Sequence, residues 1–71
     1  MDNLLNAPIK KTLTIADIDC EDLINKLIAM GLYPNAKVQV IENNKDNLQI
    51  ACGTSRIGIC SKLAAKIFVT H

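Results

Sequence analysis

The side chains able to do chemistry are few, and they do not fall into a catalytic pattern. There are three cysteines, Cys20, Cys52 and Cys60, and one histidine, His71, at the last position. No two cysteines are spaced C-x-x-C, and an odd number makes neither a disulfide framework nor a zinc-finger pattern. Thiols that act as small hydrophobes in a reducing compartment are the expected outcome. Cys20 lies between Asp19 and the pair Glu21, Asp22. A thiol at a helix start is a candidate nucleophile, but this ring of carboxylates opposes its anion, so Cys20 is expected to be passive. One soft thiolate beside hard carboxylates also makes Cys20 the candidate transition-metal ligand, with no resident cofactor expected. Asp17, Asp19, Glu21 and Asp22 could offer oxygen ligands to a hard cation. Their spacing lacks the glycine and distant glutamate of an EF-hand loop, and helix capping already accounts for three of the four. A Ser/His/Asp set or a Cys–His dyad would need the terminal His71. Gly31, Gly53 and Gly58 are isolated, so there is no phosphate-binding loop. The chain reads as a non-enzyme.

Composition narrows the classes further. Seventy-one residues make one domain, 1–71, with 1–7 as a lead-in. A chain this short buries only about 60% of its extended surface, and its core is small and aliphatic. The formal net charge is +1 with no basic run beyond Lys10-Lys11, which is too little to neutralise a phosphate backbone, so no nucleic-acid partner is expected. No apolar stretch approaches the roughly 18 to 20 residues of a membrane span, so direct insertion is not expected and the cytoplasm is the expected location.

These residues hang on a small set of elements. Leu23, Ile24, Leu27 and Ile28 recur at helical spacing, a stripe predicted to face the core. Asp19 is predicted to cap that helix. Gly31 then falls where a left-handed C-cap belongs, and Leu32 where a Schellman motif wants an apolar contact back onto the last turn. Pro34-Asn35 suits the centre of a turn. The first strand is predicted within Ile9–Ile18, the second over Lys37–Glu42, with Val38 and Val40 inward and Ile41 on the side of Gln39. Asn43–Asn47 is a polar turn. Leu48–Cys52 is the third strand, and Gly53-Thr54 fits a two-residue hairpin turn. That turn sets the register: Cys52 opposite Ser55, Ala51 opposite Arg56, Ile50 opposite Ile57, Leu48 opposite Ile59. Cys52 and Cys60 then point to opposite faces. Ser61 is predicted to cap one helical turn, and Ile67–Thr70 closes the chain with His71 solvated beyond it. The fold class is mainly β with one α-helix: a small barrel of about five strands, the helix between strands 1 and 2, and a short helical turn before the last strand.

The run Lys26-Leu27-Ile28-Ala29-Met30-Gly31-Leu32-Tyr33-Pro34-Asn35 resembles the R-L-x-x-M-G-hydrophobic-x-P-G segment of the ferrous iron transport protein A (FeoA) family. Val38-Gln39-Val40 is similar to that family's following strand, and Gly53 to Val69 to its closing hairpin, short helix and final strand. Leu27, Gly31, Leu32, Pro34, Asn35 and Gly53 form the matching structural signature, with Lys26 and Asn35 departing from the usual Arg and Gly. The resemblance implies an SH3-like β-barrel and a cytoplasmic accessory protein of bacterial ferrous-iron uptake. Its implied partner is the FeoB transporter and its GTP-binding part. The alternative it implies is a metal-responsive SH3-like module, as in iron-dependent repressors, binding a transition-metal ion or a proline-rich peptide. For a protein partner, the apolar residues expected near solvent are Met30, Tyr33 and Ile41. Oligomeric state is not specified.

Overall fold

Six strands, not five, form the sheet of this computed structural model, which describes residues 2–71. They are β1 (Asp2–Asn3), β2 (Leu13–Ile18), β3 (Lys37–Asn43), β4 (Asn47–Cys52), β5 (Ser55–Cys60) and β6 (Ile67–Thr70), in the order β1-β6-β2-β3-β4-β5. Every ladder is antiparallel. Two helices complete the chain, α1 (Ile24–Ala29) after β2 and α2 (Ser61–Ala64) before β6. The SH3-like arrangement expected from the sequence is present. The closed ladder is not, because β1 and β5 end the sheet without pairing to one another. Irregularities at Ala16 in β2 and at Ile41 in β3 shift the register, and such bulges bend a strand and increase its twist. A curled sheet thereby wraps one aliphatic core made of Leu4, Leu13, Ile15, Leu27, Leu32, Val38, Val40, Leu48, Ile50, Ile67 and Val69, all under 2% or at 2% exposure.

The extra strand comes from the predicted lead-in, whose residue 1 lies outside the described residues. Asp2 and Asn3 pair with Val69 and Phe68, and Leu4–Asn6 forms a 3-10 turn capped by the Asn3 side chain, whose Oδ1 accepts from the Asn6 amide at 3.1 Å. Leu4 is fully buried. The segment from Ile9, predicted as strand, reaches the ladder only at Leu13. Ile9 instead makes an isolated parallel bridge to Val40, and Lys10 takes φ 63° while its amide donates to the Val40 carbonyl at 2.7 Å. That left-handed residue breaks the extended run.

The exit from α1 follows the predicted form. Gly31 has φ 92°, the Leu32 amide donates to the Leu27 carbonyl at 2.8 Å, and the Gly31 amide donates to Ile28 at 3.0 Å. This is the Schellman pair of bonds. Asn35 takes φ 77° and the Ala36 amide closes the Pro34-Asn35 turn on the Tyr33 carbonyl at 3.0 Å. The β4–β5 hairpin also keeps the predicted register from Cys52↔Ser55 to Leu48↔Ile59, with Gly53 at φ 61°. In the polar turn, the Asn44 Oδ1 accepts from the amides of Asp46 and Asn47, and the Asn43 amide side chain donates to the Leu5 carbonyl, tying this turn to the N-terminal segment.

The entry to α1 departs from expectation. Asp19 is not the cap: its amide donates to the Lys66 carbonyl at 2.8 Å, in continuation of the β2–β6 pairing. Cys20 takes the capping position of a 3-10 turn, Glu21–Leu23, with no side-chain cap bond. Cys60 likewise precedes α2 where Ser61 was expected to cap. The stripe on α1 is also narrower than its spacing predicts. Leu27 is buried, but Ile28 is 46% and Leu23 38% exposed. A six-residue helix has fewer than two turns to lay on the sheet, and Leu27 is its one buried residue.

Two measurements test this account. Gly31→Ala must place a Cβ 3.1 Å from the Cys52 sulfur at a left-handed φ, and urea unfolding should show a loss of about 1–3 kcal/mol. Leu27→Ala should lose roughly 2–5 kcal/mol, whereas Ile28→Ala should stay within about 0.5 kcal/mol of the parent. Equal losses at the two positions would show that the whole stripe is core.

Candidate interaction site

The chemistry-bearing residues are scattered by the fold, with one exception. Cys52, at the end of β4, donates its S–H to the Gly31 carbonyl at 3.0 Å and serves the helix exit. His71, expected to be solvated, meets Asp2 through Nε2 and Oδ2 at 2.8 Å, so its nearest polar partner is a carboxylate of β1 and not a thiol. Cys20 and Cys60 both line a shallow cavity of about 190 Å³ with Leu23, Leu63, Lys62 and Lys66. The sequence offers no sign of that meeting, because it depends on β2 running beside β6 while α2 connects β5 to β6. Cys20 is half-buried and Cys60 exposed, and all three thiols are free. Glu21 and Asp22 are exposed. Among the described residues, no group of three or more His, Cys, Asp or Glu side chains converges to hold a metal ion.

The three apolar residues expected near solvent lie in two places. Met30 is half-buried at the C-cap of α1, and Tyr33, two residues past Gly31, is 47% exposed. Leu23 and Ile28 join them as exposed apolar side chains of the same helical segment. Sequence reasoning missed these two because helical spacing cannot say how much of a stripe the sheet will cover. Ile41 is half-buried and lines a separate groove of about 420 Å³ on the outer face of β3, β4 and β5. Its neighbours there include Lys37, Gln39, Ala51 and Arg56. Val38 and Val40 face the core on β3, so the alternation sends Lys37 and Gln39 outward. Ladder partners Gln39↔Ala51 and Ala51↔Arg56 extend that face across three strands. Gln39 Nε2 donates to Thr12 Oγ1 at 3.3 Å along one wall. Both areas can bind by surface complementarity, and neither presents a nucleophile with a base.

No helix of the described residues is long and apolar enough to cross a membrane. A search of the curated proteins finds no match. Among solved structures, the chain is similar to an iron uptake regulatory protein, FeoA, known from a monoclinic crystal form. The two share 27% identity over 96% of this chain and 93% of that one, with a TM-score of 0.85. The FeoA protein of Chlorobium tepidum, solved by NMR in solution, gives 18% identity over 96% and 68% of the two chains, with a TM-score of 0.86. A manganese-dependent transcriptional repressor shares the fold at 17% identity and a TM-score of 0.85, over 96% of this chain and 39% of its own. The FeoA domain matches residues 3–71, so the signature around Gly31, the hairpin and the N-terminal strand all fall inside it, and the chain belongs to the FeoA family.

Proposed function

We propose that this protein is an accessory subunit of ferrous-iron uptake that acts from the cytoplasmic side by docking on the FeoB transporter, at its GTP-binding part. The observation that carries this reading is the apolar surface left around the helix exit. Ile28 and Tyr33 are 46% and 47% exposed, and Met30, between them in the chain, is half-buried. Ile28 does not contribute to the core as Leu27 does, yet it is a large aliphatic side chain. A large aliphatic side chain fully withdrawn from water contributes about 1.5–3 kcal/mol, so a partner covering this helix would gain stability that the isolated fold leaves unused. Iron, on this reading, is the cargo of the transporter and not a ligand of this chain. The FeoA match over residues 3–71 supports the link to iron uptake.

The metal-responsive alternative asks Cys20 to act with nearby carboxylates. Its cavity instead brings one further thiol and two lysines, whose ammonium groups repel a cation.

Capture from membranes of the native host tests the proposal. The unmodified protein should retain the transporter, and Met30→Asp and Tyr33→Ala should each reduce recovery several-fold while the melting temperature stays close to the parent's. Recovery of no iron-transport component by the unmodified protein would refute the transporter reading. Unchanged recovery by both variants would move the contact away from the helix exit.

A further inference from the structure

We infer that the groove on the outer face of β3, β4 and β5 is a second docking site, and that its ligand is an acidic, extended segment of a protein partner. The inference rests on the reading of this chain as a docking protein, and it adds the chemistry of what is docked. Lys37 and Arg56 both line the groove, and no carboxylate does. Neither cation is ion-paired: the one salt bridge among the described residues joins His71 to Asp2. The chain carries eight Lys and Arg against seven Asp and Glu, so local cations without an acidic neighbour are not the result of a strongly basic composition.

Geometry sets what fits. Gln39, Ala51 and Arg56 are successive ladder partners, and Lys37 lies two residues from Gln39 on the same face. Lys37 and Arg56 are therefore two strand spacings and two residues apart, roughly 12 Å between their Cα atoms. Carboxylates at alternate positions of an extended chain are about 7 Å apart, a span the two long side chains can reach inward to meet. The Arg56 guanidinium supplies a planar fork for one carboxylate, and the Lys37 ammonium a point charge for the other. Between them lie Gln39 and Ala51, and Ala51 gives an apolar floor for the side chain that separates the two acids, with Ile41 beyond Gln39 at the far end of the groove. The site is thus specific for alternation: acid, apolar, acid. The Gln39–Thr12 hydrogen bond fixes a wall of the groove before a ligand arrives.

Ile41 continues the row of Lys37 and Gln39 on this face, half-buried at the groove.

A short peptide alternating glutamate and leucine is the probe, titrated into the isotope-labelled protein at low ionic strength, with the same peptide carrying glutamine for glutamate as reference. The acidic peptide should shift the amide resonances of Gln39, Ile41, Ala51 and Arg56, and the glutamine peptide should not. The doubly reversed variant Lys37→Glu/Arg56→Glu should bind at least tenfold more weakly, while Lys45→Glu/Lys62→Glu, with the same net charge, should bind like the parent. Both pairs are exposed, so the fold of each variant can be checked by its unchanged dispersion of resonances. Equal weakening in the two variants, or shifts that map elsewhere, would overturn the groove. So would vesicles of anionic phosphatidylglycerol that shift these amides when the peptide does not, since the surface would then be membrane-facing. Peptide binding at the groove together with failed capture from membranes upholds the groove and removes only the transporter as its partner.

Discussion

The structure turns on the hydrogen bond from the Leu32 amide to the Leu27 carbonyl across Gly31. It ends α1 and reverses the chain between two leucines that are both buried. The carbonyl of Gly31 then accepts the Cys52 thiol, so the helix exit is fastened to the end of β4 and not only to itself. A Cβ on residue 31 would sit 3.1 Å from that same sulfur, which would have to give by a few tenths of an ångström. Glycine is favoured first by the positive φ and then by this close approach. From there Tyr33 to Ala36 forms the turn that delivers β3, and the Asn35 amide reaches back to the Ile15 carbonyl at 2.7 Å. One joint thus connects the helix, the central strands and the hairpin.

Around this joint the domain solves the problem of being small. Its sheet is not closed, and it leaves β1 and β5 as edges. Bulges at Ala16 and Ile41 curl the sheet enough to enclose the aliphatic side chains. The N-terminal segment supplies what the curl leaves open: two residues extend β6, Leu4 fills the core, and Asn43 holds the Leu5 carbonyl. The α2 turn packs on β4, β5 and the Leu4–Asn6 turn, covering the gap between the two edges. Charge plays little part in this stability, since among the described residues the only salt bridge is a half-exposed pair, and such pairs contribute little.

The same economy shapes the surface. A helix too short to bury its stripe leaves Leu23 and Ile28 exposed. A sheet face with no helix above it leaves Lys37 and Arg56 without acidic partners. Both features suit the docking role proposed above.

The sequence by itself determined whatever is settled between near neighbours. The stop at Gly31, the contact of Leu32, the turn at Pro34-Asn35, the Cys52↔Ser55 register and the bounds of β6 all depend on backbone preference or on period-two alternation, which a few residues carry. The match to the FeoA signature was legible for the same reason, since its Met-Gly-Leu-x-Pro core is local. What only the tertiary structure decided needs distant partners. Leu4 and Leu5 carry no period, so nothing in the lead-in announces that β6 has a free edge for Asp2 and Asn3. Helical spacing places Leu23 and Ile28 on one stripe with Leu27, but the width of the sheet beneath determines how much of that stripe is buried. Cys20 shares a cavity with Cys60, and His71 meets Asp2, through strand order alone. Local preference fixes how the chain turns; burial and cross-chain pairing exist only after the sheet has been assembled.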